Sequence, residues 1–254
     1  MIEVNWFFTV VAAVFGFFAG SFLNVVIYRL PRGEQIIGGR SRCPACGRTL
    51  AWFDLVPVLS FMLLQGRCRH CLARISPRYP LVELLTGAVF AALLIRFGLT
   101  PALAKYLFLS AVLIAASLID LEHYLIPDRL VLAGLFGGIV LGFLARDVGL
   151  LSALLGAAVC GGILLLIAVV SGGGMGGGDI KLAAVTGLFL GWPLGPLGLF
   201  GGACLGGLLG VFLLVFKLKG RKDPLPFGSF IALGALLSLL GGKEFLAWYV
   251  GRFF

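Results

Sequence analysis

The stretch "LLSALLGAAVCGGILLLIAVVSGGGMGGGDIKLAAVTGLFL" (residues 150–190) joins two apolar runs through a loop that is almost entirely glycine. Residues 150–170 contain no charged side chain, and about 20 apolar residues are enough to cross the hydrocarbon core of a bilayer as a helix. The loop ends at Asp179, just where the second apolar run begins. An ionisable side chain at the edge of a membrane span is costly and indicates function. The stretch therefore predicts membrane helices with a functional carboxylate between them.

Composition extends this prediction to the whole chain. Of its 254 residues, 60% are hydrophobic and 12% are charged, and the mean hydropathy of +1.10 is too high for a protein with one water-soluble core. We therefore predict an all-α polytopic membrane protein with about eight transmembrane helices. Acidic Glu3 and the lack of a basic flank predict that the first helix is not cleaved as a signal peptide. The predicted spans are residues 6–28, 80–97, 102–119, 129–146, 148–170, 181–197, 198–217 and 229–250.

The basic residues divide unequally between the two sides that alternating helices would define. Residues 29–80, the one long polar stretch, carry nine arginines against Glu34 and Asp54. Basic loops favour the cytoplasm, so we predict that this insert is cytoplasmic and that both termini are extracytoplasmic. Fifteen of the twenty basic residues then lie on the cytoplasmic side. Topology and anionic lipid explain the net charge of +9, and we predict no nucleic-acid partner.

The insert holds two closely spaced cysteine pairs, "CPAC" (Cys43, Cys46) and "CRHC" (Cys68, Cys71). Two such pairs supply four thiolates for a tetrahedral site, and their spacing is typical of structural zinc. Stable disulfides are rare in the reducing cytoplasm, whereas iron takes the same ligands and is an alternative that the spacing leaves open. We predict a structural Zn²⁺ site, because four thiolates leave no coordination position for a substrate.

Carboxylates at the ends of apolar runs are the next candidates. In "SLIDLEHYLIPD" (117–128), Asp120 closes the third predicted span, and Asp128 stands before the fourth as a helix N-cap would. Asp179 opens the sixth span, and the predicted topology puts it on the same side as Asp120. Two close carboxylates repel as anions, so one holds a proton while the other can activate water, as in aspartic proteases.

The glycines before Asp179 have more than one interpretation. Gly176, Gly177 and Gly178 lack side chains, so they would leave a slot where an extended substrate can lie beside the carboxylate. The same run can act as a hinge, with Asp179 as the N-cap of the next helix. Paired membrane acids also serve proton-coupled transporters, and a membrane-anchored metal or redox module is a third class. No internal repeat typical of transporters is visible, and no haem motif supports the redox class.

Six sequence blocks follow one another along the chain. They are "GSFLNVVIYRLP" (20–31), the two cysteine pairs, "RYPLVEL" (78–84), "SLIDLEHYLIPD" (117–128), "GGGDIKL" (176–182) and "PLPFGSFIAL" (224–233). In this order they resemble the bacterial type IV prepilin peptidases, which are intramembrane aspartyl proteases with a G-x-G-D motif. The resemblance covers nearly the whole chain, and "GGGD" (176–179) supplies the motif.

The resemblance implies a bifunctional enzyme of the bacterial inner membrane. Asp120 and Asp179 would be its catalytic residues and would remove the short basic leader of prepilins and pseudopilins, the precursors used by type IV pilus and type II secretion systems. S-adenosylmethionine would then methylate the new N-terminal residue. That activity rests on the resemblance alone, because the sequence has no G-x-G-x-x-G segment in a Rossmann unit. Candidates for contact with the substrate are Glu83, Asp128, Phe227 and Gly228.

We predict three segments along the chain. Residues 1–28 would form the first transmembrane helix, and residues 29–80 the zinc-binding insert associated with methyl transfer. Residues 81–254 would form a seven-helix protease domain. Both catalytic candidates then lie in the third segment, and all four cysteine ligands lie in the second.

Overall fold

The structure, a computed structural model, describes residues 6–218, 220 and 223–253. Within these ranges the chain forms nine α-helices and no β-strand, as expected of an all-α protein. The helices are α1 (Trp6–Arg29), α2 (Leu59–Leu63), α3 (Arg78–Phe97), α4 (Pro101–His123), α5 (Asp128–Ala145), α6 (Leu150–Val170), α7 (Gly177–Leu190), α8 (Leu194–Val215) and α9 (Phe227–Phe253). Glu3 and three basic residues that entered the sequence predictions, Lys219, Arg221 and Lys222, lie outside the described residues.

Seven of the described helices are long and apolar enough to cross a bilayer, namely all except α2 and α7. Their limits agree with the predicted spans to within a few residues. Helix α7 has 14 residues and rises about 21 Å, which is less than the roughly 30 Å of the hydrocarbon core. It ends at Leu190, and the chain turns at Gly191, whose φ is 69°, before α8 begins. The predicted sixth span, 181–197, is therefore a shorter helix than hydropathy indicates.

Helix α7 is surrounded by other helices, since it contacts α4, α5, α6, α8 and α9. Leu182 and Phe189 on this helix are fully buried. It runs antiparallel to α6, because a Cβ on Gly161 would contact Ala184 and the Trp192 N–H donates to the Ser152 carbonyl at 3.0 Å. Because protein rather than lipid covers α7, it does not need the length of a helix that crosses the bilayer alone.

Glycine sets how closely these helices approach one another. A Cβ on Gly187 of α7 would lie 2.2 Å from the carbonyl oxygen of Gly156 on α6. A Cβ on Gly234 of α9 would lie 2.2 Å from the carbonyl oxygen of Gly198 on α8. Neither pair of helices could keep its separation with alanine at these positions. Contact between backbones through small residues is a common way for helices to associate in lipid.

The chain divides into two compact units, Met1–Gly98 and Leu99–Phe254. In the first unit α1 packs along α3, and a Cβ on Gly20 of α1 would lie 2.7 Å from the Cα of Glu83. The boundary between the units lies just after the end of α3. The sequence prediction divides the chain at residue 81, near the start of that helix. Both catalytic candidates belong to the second unit.

A buried ion pair holds the start of α4. Lys105 is 1% exposed, and its Nζ donates to Oδ1 of Asp147 at 2.8 Å. The hydroxyl of Tyr106 donates to the other oxygen of the same carboxylate. Asp147 lies in the loop between α5 and α6, so these bonds tie the first turns of α4 to that loop.

Candidate active site

Asp120 lies one turn inside α4 rather than at its end. The helix continues to His123 and stops where Tyr124, at a φ of 54°, donates its N–H to the Asp120 carbonyl at 2.9 Å. The apolar sequence before Asp120 buries this face of the helix, and Asp120 itself is 5% exposed. Its Oδ2 accepts the backbone N–H of Ser229 at 3.3 Å. Within the described part of the chain it has no cationic partner.

Asp179 lies in the first turn of α7. Gly176 precedes the helix in an extended conformation, and its carbonyl accepts the Asp179 N–H at 3.1 Å. A carboxylate in the first turn interacts favourably with the helix dipole. Its Oδ1 is buried and has no hydrogen-bond partner among residues 6–218, 220 and 223–253. A buried oxygen without a partner is destabilising in a purely structural carboxylate, whereas an acid–base catalyst presents such an atom to its substrate.

The start of α9 lies between the two carboxylates. A Cβ on Gly228 would be 3.0 Å from Oδ2 of Asp120 and 3.2 Å from Oδ1 of Asp179. The sum of these distances, about 6.2 Å, is the greatest separation that the two oxygens can have. The structure thus brings three predicted site residues together at one point, and their catalytic role stays a prediction.

Ile126, which the sequence did not indicate, fills the space between two of the glycines. A Cβ on Gly178 would lie 2.9 Å from the Ile126 Cβ, and one on Gly228 would lie 2.7 Å from the Ile126 Cδ1. Glycine is therefore required at both positions by a close approach. The only available signal was the place of Ile126 in the block "SLIDLEHYLIPD", between Asp120 and the start of the next helix.

The other two glycines of the predicted slot, Gly176 and Gly177, are exposed. A Cβ on Gly177 would meet nothing within 4 Å, and one on Gly176 would lie 3.0 Å from Oδ2 of Asp179. The antiparallel contacts of α6 and α7 put Asp179 roughly 6 Å, about one helical turn, below the end of α6. The two carboxylates are thus recessed among the helices.

Two residues at the start of α9 flank Gly228. Phe227 begins the helix and is half-buried. Ser229 was not predicted as a site residue, yet its hydroxyl donates to the carbonyl of Ser117 at 3.0 Å. Together with its N–H bond to Asp120, this contact ties α9 to α4 directly beside the carboxylates.

Asp128 does not cap α5, so the N-cap prediction was wrong. The cap position belongs to Pro127, no side chain forms a capping bond, and Asp128 is the first helical residue. Its carboxylate is largely exposed and accepts a hydrogen bond from Nζ of Lys181 at 2.6 Å. Because Lys181 follows Asp179 by two residues, this ion pair lies close in sequence to the catalytic candidate of α7.

Glu83 makes its contacts within the first unit. It is 7% exposed, and its Oε2 accepts the backbone N–H of Val58 at 2.8 Å. Its predicted contact with substrate stays a prediction.

The four cysteines of the insert converge as their spacing predicted. All four Sγ atoms lie within 4.8 Å of one another, and those of Cys43 and Cys71 are 3.8 Å apart. In a tetrahedral site with Zn–S bonds of about 2.3 Å, neighbouring sulfurs are about 3.8 Å apart. The described residues therefore fit a four-thiolate zinc ion.

The two cysteine pairs adopt the same backbone turn. In each, the N–H of the first cysteine donates to the carbonyl five residues later, at 2.9 Å for Cys43 and 2.8 Å for Cys68, and an antiparallel bridge closes the hairpin. Gly47 and Leu72 hold equivalent positions, at φ values of 69° and 58°. The backbone N–H groups of Cys71 and His70 lower the pKa of the Cys68 thiol to about 7.

Comparison with known proteins gives consistent matches along the chain. The model for the bacterial Peptidase A24 N-terminal domain matches residues 14–97, and that for the type IV leader peptidase family matches residues 107–211. A prepilin leader peptidase/N-methyltransferase of Aeromonas hydrophila is 34% identical over 98% of this chain and 96% of its own length. Proteins of the same name from Bacillus subtilis (strain 168) and Myxococcus xanthus (strain DK1622) are 37% and 42% identical.

The coverage of these two relatives differs. The Bacillus subtilis protein matches over 93% of this chain and 96% of its own length. The Myxococcus xanthus protein matches over 85% of this chain and 66% of its own length. No solved structure matches the chain.

Proposed function

The chain belongs to the type IV leader peptidase family, and on this premise we propose that it is a membrane aspartic endopeptidase. It removes the basic leader of prepilins and pseudopilins at the cytoplasmic face of the bacterial inner membrane. Asp120 and Asp179 are its catalytic residues. The observation that supports this most directly is that both carboxylates lie against Gly228 and neither has a cationic partner in the described parts of the chain.

The two carboxylates divide the acid and base roles of amide hydrolysis. One takes a proton from water as the water oxygen bonds to the scissile carbonyl carbon. The other gives its proton to the amide nitrogen as the carbon–nitrogen bond breaks. The leader then leaves with a carboxylate, and the pilin keeps a new amine. Because the pair titrates as a unit, both members are needed and neither can substitute for the other.

The glycines beside the pair supply the substrate slot. An extended segment can bond to the backbone of residues 176–178 as an added strand, since no side chains stand in its way. A pilin precursor holds its apolar helix in the membrane, so its scissile bond would lie at the depth of Asp179, about one turn below the end of α6. At the edge of this loop, a basic residue of the leader can take the place of Lys181 beside Asp128.

The second activity is methylation of the new N-terminal residue, which we assign to the first unit. That unit contains a cavity of about 1010 Å³, large enough for S-adenosylmethionine. Asn24 lines it, is 3% exposed, and has an Oδ1 with no partner within the described residues. Glu34 also lines the cavity, and acceptors such as these suit the amino groups of the cofactor. The bound cofactor would supply the methyl group.

The four thiolates hold a structural Zn²⁺ in this proposal. Cys43→Ser is expected to reduce bound zinc to less than one atom per chain. It is also expected to lower the thermal stability of the first unit, because the metal links the two hairpins to each other. Elemental analysis and thermal denaturation of the purified protein measure both effects. Cys160→Ser is the control, because Cys160 is buried in α6 of the other unit. Iron in place of zinc would change the metal assignment, and full metal content in Cys43→Ser would contradict the ligand set.

The charge distribution supports a cytoplasmic cysteine insert and extracytoplasmic termini. Helix α7 and the turn after it run back along α6; counted as an eighth passage, they would keep both ends of the chain on one side. Accessibility of tags added at each terminus, measured in intact and permeabilised cells, tests this arrangement.

The test of the peptidase is cleavage of a purified prepilin by the full chain in lipid. Wild type is expected to cut, while Asp120→Asn and Asp179→Asn each lose at least about 10³-fold in rate, because removal of one acid–base group has effects of this order. Asparagine keeps the size of the side chain and removes its ionisation. Glu122→Gln is the matched control, since Glu122 is exposed and lies two residues from Asp120 on the same helix.

The outcomes separate the proposal from its competitors. Activity that survives in either asparagine variant would mean that the two carboxylates are not the catalytic pair. Proton flux without cleavage in the wild type would instead support a proton-coupled transporter. Equal loss in Glu122→Gln would indicate a general effect of charge at this end of α4 rather than acid–base catalysis.

A further inference from the structure

One segment of the polar insert is more apolar than its surroundings and is poorly covered by protein. The apolar segment, residues 52–63 with the sequence "WFDLVPVLSFML", contains a single charged residue, Asp54. It comprises the 3₁₀ turn Trp52–Leu55 and helix α2. Trp52 is 79% exposed and Leu63 is 83% exposed. A cluster of large exposed apolar side chains is unusual at a surface that faces water and indicates a binding surface.

A buried carboxylate fixes where this segment lies in the first unit. Glu83 of α3 accepts the backbone N–H of Val58, in the middle of the apolar segment, at 2.8 Å. Val58 has a φ of 62°, a conformation that a β-branched residue adopts only under strain. The carboxyl group of Glu83 gives this N–H a hydrogen-bond acceptor on α3. It holds the segment against the side of α3.

The position of Glu83 along its helix gives the depth of this contact. Glu83 follows the first residue of α3 by five positions, or about 7.5 Å of helix rise. On α1 the same level is marked by Gly20, nine residues or about 13.5 Å before the helix ends. The polar region of a bilayer is only about 5 to 7 Å thick on each side. With the ends of α1 and α3 at the membrane surface, the contact between Val58 and Glu83 would lie below the polar region of the bilayer.

The two faces of α2 differ in what they contact. Ser60 and Phe61 line the cavity of the first unit, whereas Leu59, Met62 and Leu63 face outward and are exposed. On α3 the neighbours of Glu83 are also exposed apolar residues, Leu81, Leu84 and Leu85. Helix α3 is long and apolar enough to cross a bilayer, so these exposed leucines are suited to contact with lipid. The outward side chains of α2 are apolar as well, and the bond from Val58 to Glu83 joins their segment to α3.

We propose that residues 52–63 are a membrane-embedded segment, whose outward side chains contact the lipid acyl chains near the headgroup boundary. The segment forms the wall that separates the cavity of the first unit from the bilayer. The bond from Val58 to Glu83 satisfies a backbone N–H that has no water partner at this depth. Trp52 lies at its start, as aromatic residues do at the membrane interface. Residues 29–80 are thus only in part a cytoplasmic insert.

Depth-dependent fluorescence quenching tests this placement in the full chain. The four native tryptophans are replaced by phenylalanine, and one tryptophan is introduced as Leu63→Trp or as Leu72→Trp. Leu72 is the matched control, because it is an exposed leucine of the same insert in the turn that holds Cys68 and Cys71. Vesicles are made with brominated phosphatidylcholine and phosphatidylglycerol. Fluorescence of the Leu63→Trp variant is expected to be quenched several-fold more strongly than that of the Leu72→Trp variant.

The role of Glu83 is tested in the same Leu63→Trp background. Glu83→Leu removes the acceptor for the Val58 N–H and is expected to reduce quenching to the level of the Leu72→Trp control. Glu83→Gln keeps a carbonyl acceptor and is expected to retain most of the quenching. Unchanged helical content in circular dichroism separates displacement of the segment from unfolding.

Three results would overturn the proposal. Equal and weak quenching at positions 63 and 72 would put the segment in water. If the fluorophore of Leu63→Trp is not quenched by bromine but becomes more shielded from water as the protein-to-lipid ratio rises, the face would be assigned to a second copy of the chain. Strong quenching that persists in Glu83→Leu would show that Glu83 does not hold the segment in place.

Discussion

The two ends of α4 each bury a charged side chain, and they treat it differently. Near the start, Lys105 is 1% exposed and bonds to Asp147 at 2.8 Å, and Tyr106 donates to the same carboxylate. Near the end, Asp120 is 5% exposed and accepts one backbone N–H at 3.3 Å. Its neighbour across Gly228 is a second carboxylate, Asp179, rather than a cation.

On the proposed function, this difference separates a structural charge, Lys105 with Asp147, from a catalytic one, Asp120. A buried ion pair with its hydrogen bonds made is stable as it stands, and it can do no chemistry without being broken. A buried carboxylate beside another carboxylate has no such partner in the folded chain, and its interactions are completed only during the reaction. Substitutions at Lys105 or Asp147 should therefore change stability, and substitutions at Asp120 or Asp179 should change activity.

The largest expected effect is a loss of activity without a loss of stability. Asp120→Asn removes a charge that faces another carboxylate, so its melting temperature is expected to equal or exceed that of wild type while cleavage falls by at least about 10³-fold. Thermal denaturation and a cleavage assay on the same preparation measure both quantities. A variant that melts well below wild type would mean that Asp120 also holds the fold together, and the comparison of the two ends would fail.

The reverse effect is expected at the other end of α4. Asp147→Ala leaves the Lys105 ammonium buried without its partner, and the loss of a buried partner destabilises by about 3–5 kcal/mol. Activity per folded molecule is expected to stay near that of wild type. The double variant Lys105→Met with Asp147→Leu is the control, because removal of both charges should recover most of the stability. A stable single variant would contradict the structural role.

The sequence indicated the residues near the end of α4, Asp120 and Asp179, but not the ion pair of Lys105 and Asp147 near its start. Asp120 and Asp179 each interrupt or border an apolar run, and such positions can be recognised without knowing what they contact. The partner of Lys105 lies 42 residues away in a loop, and no spacing rule links them. Ile126 and Ser229 were missed for the same reason, because their contacts come from the packing of α9 against the end of α4.

The limits of the helices were likewise predicted well where local sequence determines them and poorly where tertiary packing does. Apolar runs gave the seven long helices to within a few residues, because length and hydropathy are properties of the local sequence. Helix α7 was overestimated, since the apolar window continues through Gly191 into the turn that ends the helix. Its surroundings of five helices permit a shorter element, and that information is absent from hydropathy.

An intermediate effect is expected from filling the space between the carboxylates. In Gly228→Ala the new methyl group would lie 2.7 Å from Ile126 Cδ1 and about 3 Å from both carboxylates, so the pair must move apart. A displacement of this size can reduce the rate by about 10²-fold. Gly241→Ala on the same helix is the control, because its Cβ would meet nothing within 4 Å. Wild-type activity in Gly228→Ala would mean that Gly228 does not set the separation of the two acids.

The smallest effect is expected from a bond that holds the site together without touching the reacting atoms. Ser229→Ala removes the hydroxyl that donates to the Ser117 carbonyl at 3.0 Å and leaves the backbone N–H to Asp120 in place. One such bond contributes about 1 kcal/mol to stability, so a small decrease in melting temperature and a change in cleavage rate of only a few-fold are expected. Ser229→Thr keeps a hydroxyl and should restore the wild-type values. A loss as large as that of Gly228→Ala would mean that this contact between α4 and α9, and not Gly228 alone, sets the position of Asp120 relative to Asp179.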